Sequence, residues 1–313
     1  MPNIQTPVEK IQSICAGTNG VDSKPAWLKV KLPTESSFFQ VAEILRTNRL
    51  HTICRSARCP NISECWSART ATFLILGDVC TRDCSFCAVR KGAPQPPSAE
   101  EPRRVAEAVA AMGLDYAVIT SVTRDDLADG GASHFAATIR AIKTANPRAK
   151  VEVLIPDFKG DERALAAVIE AGPDVLNHNL ETTESCYPLI NRAPQNYRRS
   201  LDVLKRAREM GALAKSGLMV GLGEDEVEIM QTLSDLRAAG CDLLTIGQYL
   251  RPSASHAPVR KYYPPEEFEE LKKKAKKLGF KGIEAGPLVR SSYQAHRMFN
   301  SLGKGAGRDP CAT

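Results

Sequence analysis

From residue 71 onward, short apolar runs alternate with longer stretches in which apolar residues recur every three or four positions. The short runs, bounded by glycine or polar residues, read as buried strands, and the longer stretches read as amphipathic helices. The strands fall at Ala71–Leu76, Tyr116–Thr120, Val151–Ile155, Val175–His178, Ala214–Val220 and Leu243–Gly247. A helix at Ser36–Thr47 precedes them. Glu101–Met112, Ser133–Ala145, Asp161–Ala171, Tyr197–Met210, Glu226–Ala239 and Pro265–Leu278 follow one strand each. In the first of these, Val105, Ala108, Val109 and Met112 share one face. Gly113, Gly172, Gly211, Gly240 and Gly279 stand where helices should stop, the usual place for a residue of positive φ. Six strand-then-helix units predict an α/β fold, a partial (β/α)6 TIM-type barrel with N- and C-terminal extensions. A doubly wound open sheet is the alternative, because alternation alone does not set strand order. The expected parts are an extension over 1–69, the barrel over 70–283 and a second extension over 284–313. Sites in either architecture gather at the C-terminal ends of the strands.

At 313 residues the chain can bury a large core without disulfide staples. Lys and Arg exceed Asp and Glu by 42 − 36 = 6, an excess spread along the chain except at Lys272, Lys273, Lys274, Lys276 and Lys277. On a helix that run reads as a solvated face, so neither nucleic acid nor membrane is expected as a partner. No stretch reaches the length of an apolar membrane span, and Met1–Gly20 has no signal profile. A cytoplasmic protein is therefore expected, in a compartment where cysteines are seldom kept for disulfides. Of ten cysteines, six crowd between Cys54 and Cys87, whereas Cys15, Cys186, Cys241 and Cys311 stand alone.

Cys80, Cys84 and Cys87 form a Cys-x3-Cys-x2-Cys loop directly after the first barrel strand. Thiolates suit iron–sulfur clusters, and these spacings let one loop hold three corners of a four-iron cube. With no fourth cysteine nearby, one iron stays open for a non-protein ligand, which implies chemistry. A zinc site is the alternative, but structural zinc wants four ligands, commonly as two close pairs. Cys54, Cys59 and Cys65 form a second trio, Cys-x4-Cys-x5-Cys, at spacings that neither a zinc knuckle nor a redox dithiol uses.

The Cys80 loop is similar to the motif of the radical S-adenosylmethionine superfamily, in which an aromatic residue, here Phe86, precedes the last cysteine. The two cysteine sets together resemble the lipoyl synthase family. So do Arg290-Ser291-Ser292-Tyr293, Val122–Asp126, Asn177–Thr182, Lys215–Met219 and Gln248–Pro252, and the likeness covers roughly residues 40 to 295. The resemblance implies two 4Fe–4S clusters and S-adenosylmethionine as cofactors. Cys80, Cys84 and Cys87 would hold the first cluster, whose open iron is chelated by the methionine moiety and whose electron releases a 5′-deoxyadenosyl radical. Cys54, Cys59, Cys65 and, as fourth ligand, Ser292 would hold an auxiliary cluster that gives up its sulfur. The implied reaction puts sulfur at C6 and C8 of an octanoyl chain on a lysine of a lipoyl-carrier domain or a glycine-cleavage H-type protein. Implied partners are an electron donor such as ferredoxin or flavodoxin and an iron–sulfur carrier that rebuilds the second cluster.

Phe86, through the loop backbone, and Asn177, Glu181 and Lys215, at the barrel mouth, are the expected cofactor contacts, with no catalytic residue beyond the cluster ligands. Arg124, Asp125 and Asp126 are candidates for the methionine end. His178 reads as a structural histidine, and Arg82 and Asp83 as solvent-facing. A biotin-synthase-like sulfur inserter, an iron–sulfur electron carrier and an RNA-binding cluster protein are the competing readings.

Overall fold

Spatial order follows sequence order. In the computed structural model, which describes residues 24–30 and 32–304, strands β1 (His51–Thr52), β2 (Thr72–Ile75), β5 (Tyr116–Ser121), β6 (Lys150–Leu154), β7 (Val175–Asn177), β8 (Ala214–Val220), β9 (Leu243–Gln248) and β10 (Gly282–Gly286) form one sheet in that order. All neighbours pair in parallel except β1, which runs antiparallel to β2. A separate two-stranded ladder joins β3 (Val79–Cys80) to β4 (Arg90–Lys91). Six helices fill the crossovers from β2 to β10: α4 (Glu101–Met112), α5 (Ala132–Ala145), α6 (Glu162–Glu170), α7 (Gln195–Glu209), α8 (Glu226–Ala238) and α9 (Pro265–Lys277). Ahead of them lie α1 (Ser36–Thr47), α2 (Ile53–Ser56) and α3 (Ile62–Ser67); α10 (Ala295–Lys304) follows.

The absence of any reversal in strand order removes the doubly wound alternative, and because β1 and β10 do not pair, the barrel is partial, as expected. The five glycines expected to stop helices all have positive φ. Strand β10 was not expected. Its sequence, Gly-Ile-Glu-Ala-Gly, lacks the apolar run that marks the other strands.

Outward side chains of the strands, among them Ala117, Ile119, Val151 and Val153, pack under Val105, Phe135, Ile139 and Val168 of the helices. The opposite face is polar. Lys215 Nζ lies 2.7 Å from Glu152 Oε1, both side chains being completely buried. Tyr116 donates to Glu152 Oε2 at 2.7 Å, and Asn177 Nδ2 donates to Oε1 at 3.3 Å. A buried ion pair is tolerable when its remaining lone pairs are also satisfied, as both Glu152 oxygens are here.

Both extensions join the barrel rather than standing apart. Trp66 of α3 is wholly buried with Val41 and Leu45 of α1, in the same core as the strands. Met298 of α10 packs with Val175 and Leu243, and Phe299 lies 5.6 Å from Tyr116, ring to ring. The extensions also bond to one another. Asn61 Nδ2 donates to the Leu288 carbonyl at 2.6 Å and the Tyr293 hydroxyl to Glu64 at 2.8 Å.

Candidate functional site

The β3–β4 ladder pinches the neck of the Cys80 loop, and Gly92 N–H closes onto the Cys80 carbonyl at 3.0 Å. Inside it, Cys87 N–H turns back to the Cys84 carbonyl at 3.2 Å. The loop is moored to segments that follow β5, β7 and β9: Thr81 N–H to Thr123 O (3.1 Å), Ser85 N–H to Ile190 O (3.1 Å) and Ala257 N–H to Ser85 O (2.9 Å). The first cysteine set thus sits at the C-terminal ends of the strands, where the alternation pattern put it.

Charge locks this loop in place. Arg82 bonds both oxygens of Asp125, at 2.7 and 3.0 Å, and Asp157 at 2.5 Å. This corrects the solvent-facing expectation for Arg82, whose side chain is 19% exposed, while Asp83 at 69% conforms to it. Burial opposes the Asp157 charge, yet Arg82 and the Lys159 N–H hold its carboxyl well below the usual carboxylate range. Arg124 is also buried, paired with Asp126 at 2.8 Å and bonded to the Leu76 carbonyl. Arg192 was not foreseen at all. Its Nε donates to Cys84 Sγ at 3.5 Å, and its guanidinium lies 5.6 Å over the Phe86 ring. Phe86 itself packs against Ile190, Leu222 and Tyr249. Burial pushes the Cys87 thiol up to about 11, and the neighbouring Cys84 and Cys80 add to the rise.

Cys54, Cys59, Cys65 and Ser292 line one cavity of about 640 Å³, which none of Cys80, Cys84 and Cys87 reaches. Its wall includes Asp115, Tyr116 and Lys150, at the starts of β5 and β6. The second set therefore occupies the N-terminal side of the barrel, where the rule about strand ends gave no guidance. The turns of α2 and α3 present the thiols, with the Thr52 hydroxyl capping α2 at the Arg55 N–H. Burial raises the Cys54 and Cys59 thiols and pushes Cys65 up to about 12, with Cys54, Cys59 and Glu64 adding to the last.

Burial opposes ionisation of all three crowded thiols and a metal stabilises thiolates, so this donor set fits a metal cluster. Two further observations agree. Burial lowers the Arg290 pKa, its Nη1 donates to the Gln248 and Val289 carbonyls, and Cys59 favours its charge. The buried Trp66 indole N–H makes no hydrogen bond of normal length among the described residues, but it is directed to the Cys54 thiol and favours its charged form. Both features await an anionic, sulfur-rich occupant. Among the described residues no three Cys, His, Asp or Glu side chains converge on a single metal ion.

Of the expected cofactor contacts, Glu181 is half-buried with its carboxylate 3.9 Å from Arg192. Asn177, the last residue of β7, and Lys215 are fully buried in the Glu152 network. Asn177 Oδ1 and Thr182 Oγ1 are nonetheless buried with no partner among the described residues, which suits a bound molecule beside β7. His178 is structural, as expected: its ring bridges the Ile155 carbonyl and the Ser200 hydroxyl, and burial lowers its pKa.

Fold and site together define a radical enzyme. The profile of the Radical SAM superfamily matches residues 74–236. At the level of the fold, solved structures of HydG, a maturase of the FeFe-hydrogenase, and of methylornithine synthase are similar, each at 14% identity. Their TM-scores are 0.55 and 0.51, with 85% and 80% of this chain and 67% and 75% of theirs covered. Over its length the chain is 55% identical to the lipoyl synthase of Rubrobacter xylanophilus, covering 92% of this chain and 90% of that one. It is 53% identical to that of Chlorobium chlorochromatii, covering 90% and 97%. The chain belongs to the lipoyl synthase family within the Radical SAM superfamily. Its activity is radical-based sulfur insertion, with a 4Fe–4S cluster and S-adenosylmethionine as cofactors. Among the described residues no helix is long and apolar enough to cross a membrane.

Proposed function

We propose that the chain inserts two sulfur atoms, at C6 and C8, into an octanoyl chain carried on a lysine of a lipoyl-carrier domain or H-type protein, with an auxiliary 4Fe–4S cluster as sulfur source. The observation that carries this is the gathering of Cys54, Cys59, Cys65 and Ser292 around one cavity that Arg290 also lines. When bound, the first cluster with S-adenosylmethionine supplies a hydrogen-abstracting radical and the second supplies sulfide.

The protein's part is holding and excluding. Cys80, Cys84 and Cys87 would hold the first cluster, with Arg192 on Cys84 offsetting its negative charge. Phe86 packs the loop against Ile190 and keeps water from that side. Glu181 is positioned for the ribose or the ammonium group of the cofactor, and Asn177 Oδ1 offers a further acceptor. Lys215 contributes through its buried ion pair with Glu152, which Tyr116 and Asn177 brace. Ser292, a harder ligand than thiolate, makes the auxiliary site the easier one to open. A ferredoxin- or flavodoxin-type donor and an iron–sulfur carrier complete the proposed cycle.

The test is anaerobic turnover of an octanoylated carrier with iron counted beforehand. About eight irons are expected per chain, falling by about half in either cysteine triple variant. Only the Cys54/Cys59/Cys65 triple should still release 5′-deoxyadenosine, without sulfur product. About four irons in the wild-type chain would sink the proposal.

A further inference from the structure

We propose that Asn179 and Ser291 form the link through which the two thiol sites sense each other, an inference that rests on the site assignment above. A row of polar side chains lies between them. Arg192 donates to Cys84 Sγ at 3.5 Å and stands 3.9 Å from Glu181 Oε1. Asn179 lies two residues ahead of Glu181 in the same segment; burial raises the Glu181 carboxyl, and Arg192 and the Asn179 side chain both favour its charged form. The Ser291 hydroxyl donates to Asn179 Oδ1 at 2.9 Å, and Ser292 is the next residue in the chain. An amide suits the middle of this line because it accepts on one atom and donates from the other.

The surroundings are shaped for the contact. A Cβ on Gly217 of β8 would lie 2.7 Å from Asn179 Oδ1 and 2.8 Å from the Ser291 hydroxyl, so only glycine lets the pair meet there. Glu181 is held at φ 74°, a conformation that a non-glycine residue keeps only when its neighbours impose it. The neighbours are on β8: Glu181 N–H bonds the Gly217 carbonyl at 3.1 Å, and its own carbonyl accepts from Met219 N–H at 2.7 Å. With the backbone fixed, what a cationic cofactor does to the Glu181 carboxylate passes to the Asn179 amide and so to Ser291. Each member is partly buried, which weakens screening of the effect by solvent. Asn179 and Ser291 are positioning residues, and linkage makes the effect reciprocal: an occupied auxiliary site changes affinity for S-adenosylmethionine by the same factor as the converse.

Equilibrium dialysis of S-adenosylmethionine under anaerobic conditions, with iron counted on the same samples, tests this. The chains are wild type, Ser291→Ala, the Cys54→Ala/Cys59→Ala/Cys65→Ala triple, and their combination. Ser291→Ala is expected to keep about eight irons and to change the dissociation constant at least about fivefold. The triple should change it in the same direction, and the combination should add nothing further. An unmoved constant in Ser291→Ala with both clusters present, or additive effects, overturns the link and leaves the site assignment standing. Loss of iron from Ser291→Ala assigns the hydroxyl a purely structural part and overturns it too. About four irons in the wild type sinks assignment and link together. Should the triple fail to fold, Asn179→Ala replaces it: adding Ser291→Ala to that variant should then leave the constant unmoved, and a further shift refutes the link.

Discussion

The two thiol sites are built on opposite principles. The Cys80 loop hangs from the C-terminal ends of three strands and is gripped by full charges, Arg82 on Asp125 and Asp157 and Arg192 beside Glu181. The Cys54 pocket draws on both chain extensions, which meet through single neutral or singly charged bonds, Asn61 to Leu288 and Tyr293 to Glu64. A site whose cluster survives each turnover gains from rigidity; one whose cluster is consumed must let ligands come and go. The contrast in construction matches the contrast in proposed roles.

The largest effect should come from splitting the two chemically. Cys84→Ala is expected to reduce 5′-deoxyadenosine formation to background, whereas Cys65→Ala leaves it running and removes only the sulfur product; chromatography of both products decides. Equal loss of both products in both variants would erase the distinction. Next in size is the buried pair between the sites. Lys215→Met strands the Glu152 carboxylate and should destabilise the chain by about 3–5 kcal/mol in chemical denaturation, with Glu152→Met restoring much of it.

The grip on the first loop should then show in acid. Asp157, held below its ordinary range, contributes stability that is present above its unfolded pKa of about 3.9 and is lost as pH falls toward its folded one. Arg82→Ala should remove about 1.5–3 kcal/mol at neutral pH and flatten the acid limb of the stability curve. An unchanged acid limb would mean that Asp125 and Asp157 need no guanidinium. The smallest effect belongs to the exposed side of the second site: Tyr293→Phe should cost no more than about 1 kcal/mol, read as a small shift in melting temperature.

Much of this was legible in the residues. Strands such as Val151–Ile155 and helices such as Glu101–Met112 carry full periodicity, and the glycine stops fell where expected, because these signals are local. The cysteine trios were legible for the same reason. Arg192 was not: it lies 108 positions from Cys84, and nothing in its own neighbourhood marks it. Arg82 looked exposed because its two carboxylates arrive from other strands. Lys215 looked like a rim residue because its partner, Glu152, sits on a strand two places away in the sheet. Strand β10 lacked the pattern because its small residues leave room, as Gly286 does for Val289.

The bond from Asn61 to Leu288 spans 227 positions. During synthesis at about 5–20 residues per second, Cys54, Cys59 and Cys65 leave the ribosome on the order of 10–45 s before the segment that completes their pocket. For that interval the three thiols lack the wall that Ser292 and its neighbours supply, so their pocket can be completed only once the last part of the chain has emerged.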